Sequence, residues 1–163
     1  VSPHDALSAG GAPAPIGDEE RAAPTGRAGD APLVLVVSSD PAVARSLVLL
    51  LEAEEIATRS FPSAATFLAE LPALAAGGPG GGRCLLAEER LAEGGSGLAL
   101  AERMAASGLR IPTVILKRAF RSAGPRRTPP SGVSFADPFH MDALLQQVRS
   151  ALRADARSAC QEA

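Results

Sequence analysis

Four places along this chain put charged or hydroxylated side chains directly after a short apolar run. Ser38-Ser39-Asp40 follows Leu33-Val34-Leu35-Val36-Val37, and Glu88-Glu89-Arg90 follows Cys84-Leu85-Leu86-Ala87. Lys117 follows the run from Ile111 to Leu116, and Asp137 follows Val133-Ser134-Phe135-Ala136. Hydroxyls, carboxylates and an ammonium can hold an ion or one another. Several other chemistries are excluded. Ser38 and Ser39 sit between a strand-like and a helix-like stretch, but no Gly-x-Ser-x-Gly elbow surrounds them. No Ser/His/Asp or Cys/His set stands out. His4 and His140 are isolated from any Cys or second His, which argues against a metal site of that type. The glycine-rich stretch 77–82 precedes an apolar run where a phosphate loop would follow one. It also lacks the Lys-Ser/Thr of a Walker motif, so it reads as a connector.

The elements that position these groups follow from periodicity. Residues 33–37 are aliphatic without alternation, as a strand buried on both faces of a parallel sheet requires. Asp40 before Pro41 is a helix cap followed by proline at the first helical position. The helix then carries Val43, Leu47, Leu50, Leu51 and Ala53 near helical spacing. Residues 56–61 form a second strand, and a helix restarts at Pro62-Ser63 with Phe67, Leu68 and Leu71 on one face. Residues 83–87 form the third strand, a helix covers about 98–106 and stops near Gly108, and residues 111–116 form the fourth strand. The stretch 117–132 holds Pro125, Pro129, Pro130 and the arginines 118, 121, 126 and 127. Proline costs a helix interior about 3 kcal/mol, so a fourth helix there is doubtful. Residues 133–135 form a fifth strand. Met141, Leu144, Leu145, Val148 and Leu152 mark the last helix, with Asp142 in its first turn as the helix dipole favours.

Strand–helix alternation predicts an α/β fold with a five-stranded parallel sheet and right-handed crossovers, in the flavodoxin-like order 2-1-3-4-5. Ligands bind such sheets at the carboxyl ends of the strands, near the switch between strands one and three. That is where Ser38–Asp40, Glu88, Lys117 and Asp137 fall. Residues 1–31, rich in Ala, Pro and Gly, predict a disordered tail. Residues 32–155 form the domain and 156–163 a flexible C-terminal tail.

With 46% hydrophobic residues the chain can build a core, and with 3% aromatics that core must be aliphatic. Sixteen basic against 18 acidic residues argue against a nucleic-acid binder. The basic stretch also lacks aromatics on which bases could stack. Two cysteines make no disulfide framework, which points to a reducing, cytoplasmic setting. No apolar run approaches the ~20 residues a membrane span needs.

Taken together, these segments resemble the receiver domain of two-component response regulators. Residues 36–43, Val-Val-Ser-Ser-Asp-Pro-Ala-Val, look like its first strand and acidic loop. Residues 84–91 with Ser96-Gly97-Leu98 look like the phosphoacceptor strand and its Ser-Gly loop. Residues 111–115 look like the fourth strand. Phe135-Ala136-Asp137-Pro138-Phe139 looks like the Lys-Pro-Phe signature. In that family an acidic pair and an acceptor Asp hold Mg²⁺, a Thr or Ser bonds the phosphoryl group, and a Lys pairs with it.

The resemblance implies substitutions at each of these positions. Ser38 and Ser39 stand at the acidic pair, Glu88 at the acceptor (or Glu89, depending on where one extra loop residue is placed), Lys117 at Thr/Ser, and Asp137 at Lys. Asp40 stays acidic and is read as the helix cap. Glu88 is either a fixed charge imitating an acylphosphate or a solvent-facing carboxylate. Because strands three, four and five are neighbours, Glu88, Lys117 and Asp137 are expected to form a permanent salt-bridge cluster in place of the Mg²⁺ and phosphate network.

The resulting expectation is a non-enzymatic pseudo-receiver with Mg²⁺ binding and other cofactors lost. It would act by contact with a protein partner such as a histidine kinase or another regulator, or as a homodimer, without nucleic acid or membrane. Two alternatives stand beside it. One is an atypical receiver phosphorylated at Glu88 or Glu89. The other is a flavodoxin-like ligand-binding protein outside the receiver family.

Overall fold

Nearly every side chain of β1 (Leu33–Val37) and β3 (Arg83–Glu88) is buried, and successive residues feed two separate cores. Val34, Val36, Cys84 and Leu86 face one side; Leu35, Val37, Leu85 and Ala87 face the other. This period-2 partition of continuous aliphatic runs is what a parallel sheet covered on both faces requires. The computed structural model describes residues 31–77, 81–117 and 128–161. The remaining strands are β2 (Ala57–Phe61), β4 (Thr113–Leu116) and β5 (Val133–Ala136). All pair in parallel in the order β2-β1-β3-β4-β5, the flavodoxin-like arrangement expected from the sequence.

Helices α1 (Pro41–Ala53) and α4 (Met141–Gln161) cover one face through Leu47, Leu51, Leu144, Leu145, Val148 and Leu152. Helices α2 (Ala64–Ala76) and α3 (Gly97–Ala106) cover the other through Phe67, Leu71, Leu74, Leu100 and Met104. Fully burying one such side chain stabilises by about 1.5–3 kcal/mol, so the two cores outweigh any single polar contact. Glu54, at the end of α1, pairs with Arg149 of α4 and ties the two helices on one face together. The described part of the connection between β4 and β5, residues 117 and 128–132, holds no helix. Residues 118–127, with the four arginines, and residues 1–30 of the expected N-terminal tail at 1–31 lie outside the described residues.

The boundary expected near residue 155 is corrected. The last helix continues to Gln161, so residues 156–161 extend it instead of forming a tail. A polar clip that the apolar spacing does not announce holds this helix to the sheet. Asp155 is buried at the amino end of β3, where its Oδ2 accepts from the Arg83 backbone N–H at 2.7 Å. The Arg83 guanidinium adds a 3.7 Å contact to that oxygen and donates to the Leu74 carbonyl at 2.7 Å. One arginine thereby joins α2, β3 and α4. Just before it, Gly82 has φ +96, and a Cβ there would lie 2.2 Å from the Leu152 carbonyl oxygen. Backbone meets backbone at this point, and only glycine fits.

Two outcomes follow from this end of the sheet. Gly82→Ala forces a left-handed conformation on a side chain with no room, and urea unfolding should show a loss of roughly 2 kcal/mol or more. Cys84 is fully buried, and burial first, then the Asp155 charge, push its thiol from 9.0 up to about 12. Its neutral form is favoured in the folded state, so the associated stability is complete below pH 9 and declines as pH rises from 9 towards about 12. Native protein should therefore show one thiol reacting with a disulfide reagent, the exposed Cys160. The alkaline loss of stability should be smaller in Cys84→Ala.

Candidate functional site

The loops after β1 and β3 meet at the carboxyl end of the sheet, where the strand order reverses. Ser38 leaves β1 still bonded to the ladder, its N–H donating to the Phe61 carbonyl at 3.2 Å, and is 2% exposed. Its hydroxyl donates to Oε1 of Glu88, the last residue of β3. The Asp40 carbonyl oxygen also lies within reach at 2.9 Å. With one proton to give, the hydroxyl favours the carboxylate, the stronger acceptor. The Ser38 Oγ in turn accepts from the Asp40 N–H at 3.2 Å.

The neighbouring residues close the same corner. Ser39 Oγ accepts from the Ala92 N–H at 2.6 Å and ties the β1–α1 loop to the β3–α3 loop. Asp40 caps α1, its Oδ1 accepting from Ala42 N–H at 2.8 Å and Val43 N–H at 3.4 Å, the role its place before Pro41 predicts. The β3–α3 loop is pinched by an Arg90–Ser96 bridge and passes through a 3₁₀ turn at Ala92–Gly94, with Glu93 at φ +63. Ser96 then caps α3 through the Ala99 N–H at 3.1 Å. A Cβ on Gly97 would lie 2.6 Å from the Glu88 carbonyl oxygen. The Ser-Gly pair thus caps a helix and lets it start against the end of β3. Glu89 continues from that strand end with its N–H donating to the Leu116 carbonyl at 2.9 Å.

Lys117 and Asp137 lie at the ends of the adjoining strands, their backbones linked through the Lys117 N–H to Ala136 carbonyl bond of 2.9 Å. The expected salt-bridge cluster does not form: no ion pair joins Lys117 to Glu88 or Asp137. Each group has another partner. Glu88 takes the Ser38 hydroxyl, and the Lys117 ammonium lies 5.5 Å from the centre of the Phe135 ring. Asp137 accepts from the Phe139 N–H at 2.9 Å and contacts His140 Nδ1 at 3.1 Å. The Phe139 N–H, then His140, with Lys117 acting only through space, hold the Asp137 carboxyl below its usual range. The part played by His140 was missed in the sequence. An aspartate side chain bonding the backbone two residues on is the ordinary Asx turn, and Asp137-Pro138-Phe139 carries that signal.

Receiver chemistry would place Mg²⁺ at this corner, and Mg²⁺ takes a near-octahedral set of oxygens anchored by carboxylates. Here Glu88 accepts from Ser38, Asp40 accepts from the first turn of α1, and Ser39 accepts from Ala92. Among the described residues no three His, Cys, Asp or Glu side chains group as a metal set. The residues present do not fit the ion.

No protein-family model and no curated protein sequence matches the chain. Solved structures do. The response regulator StyR aligns with 29% identity and a TM-score of 0.66 over 81% of this chain, which spans 65% of that protein's length. A response regulator receiver protein from Pseudoalteromonas atlantica aligns with 21% identity and a TM-score of 0.62, covering 76% of this chain and 98% of that one. The receiver domain of a LuxO repressor protein from Vibrio parahaemolyticus gives 12% identity and a TM-score of 0.66, covering 82% and 98%. With its 2-1-3-4-5 parallel sheet and two-sided helical cover, the chain has the CheY-like receiver fold of the response regulators.

Proposed function

We propose that this domain is a pseudo-receiver, a two-component signalling module that works through protein contact without accepting phosphate. The observation that carries the reading is the Ser38–Glu88 hydrogen bond at the strand ends. Carboxylates gathered at one spot repel by about 4 kcal/mol per pair at 4 Å and an effective dielectric of 20. Three of them need a divalent cation. A single carboxylate paired with a hydroxyl does not, so the corner is stable without Mg²⁺.

The outer positions support the same reading. At the place of the phosphoryl-binding hydroxyl stands Lys117, its ammonium over the Phe135 ring. At the place of the phosphate-pairing lysine stands Asp137, held as a carboxylate by the Phe139 N–H and His140. An incoming phosphoryl group would meet Asp137's negative charge where receivers present a positive one. The partner is a protein, such as a histidine kinase or another regulator.

Incubation with a radiolabelled small phosphodonor and Mg²⁺ should leave the protein unlabelled. Mg²⁺-dependent labelling that disappears in Glu88→Gln or Glu89→Gln would establish an atypical acceptor instead. A second outcome concerns the corner itself. Ser38→Asp sets a second carboxylate beside Glu88 and should lower unfolding stability by roughly 1–4 kcal/mol. Added Mg²⁺ should recover part of that loss in the variant and leave the melting temperature of the unaltered protein unchanged.

A further inference from the structure

Helix α1 and the end of β2 enclose a largely apolar cleft of about 620 Å³, at the sheet edge away from β4 and β5. Pro41, Arg45 and Leu49 stand four residues apart along α1, so they share one stripe of that helix, with Val48 beside it. Phe61 and Pro62 close the opposite side. The stripe runs about 12 Å along the helix axis. The volume of the cleft falls within the usual range for small-molecule sites, roughly 300–1,000 Å³. Leu49, at the rim, is 59% exposed. One exposed leucine needs no explanation by itself. Its polar neighbours make this one informative.

Three donor groups in the cleft are unspent among the described residues. Arg45 forms no ion pair with them. The Ser60 hydroxyl has no protein partner among them. Ser39 Oγ accepts from the Ala92 N–H, which leaves its own proton to give. No carboxylate lines the cleft. Asp40, the nearest in sequence, is turned to the Ala42 and Val43 N–H groups as the cap of α1. A guanidinium and two hydroxyls on an apolar wall, with no acid to balance them, complement a ligand that has an apolar body and an anionic head. A single guanidinium offsets one negative charge, which favours a carboxylate over the dianion of a phosphate monoester. The wall itself gains by leaving water when an aliphatic chain covers it.

We propose that this cleft binds a small aliphatic carboxylate, its head group held by Arg45 with the Ser39 and Ser60 hydroxyls and its chain lying along Val48, Leu49 and Phe61. Ser39 links the head group to the β3–α3 loop, because the same hydroxyl accepts from the Ala92 N–H. The site uses none of the receiver chemistry, so it stands whether or not Glu88 or Glu89 takes phosphate.

The test is a titration of the isotope-labelled full chain with octanoate, below the concentration at which it forms micelles, followed by amide resonances and by calorimetry. Octanol supplies the body without the charge, and acetate the charge without the body. Octanoate should bind saturably at one site and move the amide signals of Arg45, Leu49, Phe61 and, through Ser39, Ala92. Octanol and acetate should each bind about tenfold or more weakly. Arg45→Gln and Leu49→Asn change exposed side chains, and circular dichroism melts check that both variants keep the fold. Arg45→Gln should weaken octanoate by about tenfold or more and leave octanol unaffected. Leu49→Asn should weaken both. No saturable octanoate binding, equal binding of octanoate and octanol, an Arg45→Gln variant that binds as the unaltered protein does, or signal shifts confined to residues outside the cleft would each overturn the proposal.

Discussion

Burying a parallel sheet on both faces leaves its polar chemistry only one place to go. Along β1 and β3 every interior position is spent on aliphatic packing, and a charge there would have to be desolvated. Hydroxyls and carboxylates therefore collect where the strands run out. Because all five strands run the same way, these residues come together at one end. The Ser38–Glu88 pair, the Asp40 cap, Lys117 and Asp137 lie at the same end of the sheet as a consequence of that constraint. The same constraint collects the Arg83–Asp155 clip at the opposite end.

Within the carboxyl-end group the contacts are short-range and mostly to backbone. Asp40 and Asp137 each bond backbone N–H groups within three residues, and Ser39 takes one backbone N–H from the adjoining β3–α3 loop. Such local bonds compete successfully with long salt bridges, since exposed ion pairs contribute at most about 1 kcal/mol. This explains why the charges at 88, 117 and 137 do not converge although their strands are neighbours. Lys117 finds an aromatic face before it finds a carboxylate. The corner is thus organised by satisfying individual groups in place.

What was legible in the sequence was what depends on pattern. The aliphatic runs located β1 and β3, the Asp40-Pro41 pair located the start of α1, and the spacing from Met141 to Leu152 located α4. Strand–helix alternation then led to the order of the sheet. What was not legible depends on contacts between distant segments. Nothing local marks Asp155 as the acceptor for Arg83, 72 residues earlier in the chain. Nothing local aims the Lys117 side chain at Phe135, so sequence neighbourhood suggested a cluster that three dimensions do not make. A motif marks Gly97 in the sequence, but its physical reason, a carbonyl oxygen 2.6 Å from where a Cβ would be, emerges only from the fold.

The Arg83–Asp155 clip has a mechanical consequence. Helix α4 has 21 residues, about 31 Å of rod, and Asp155 grips it some two turns before its end. A pull or twist applied at Gln161 does not simply peel the helix from its groove. It is delivered through Asp155 into the first residue of β3, the strand in the middle of the sheet, and through Arg83 into the end of α2. The load path from the helix tip therefore runs through Asp155 and Arg83 to the central strand as well as along the helix–sheet groove.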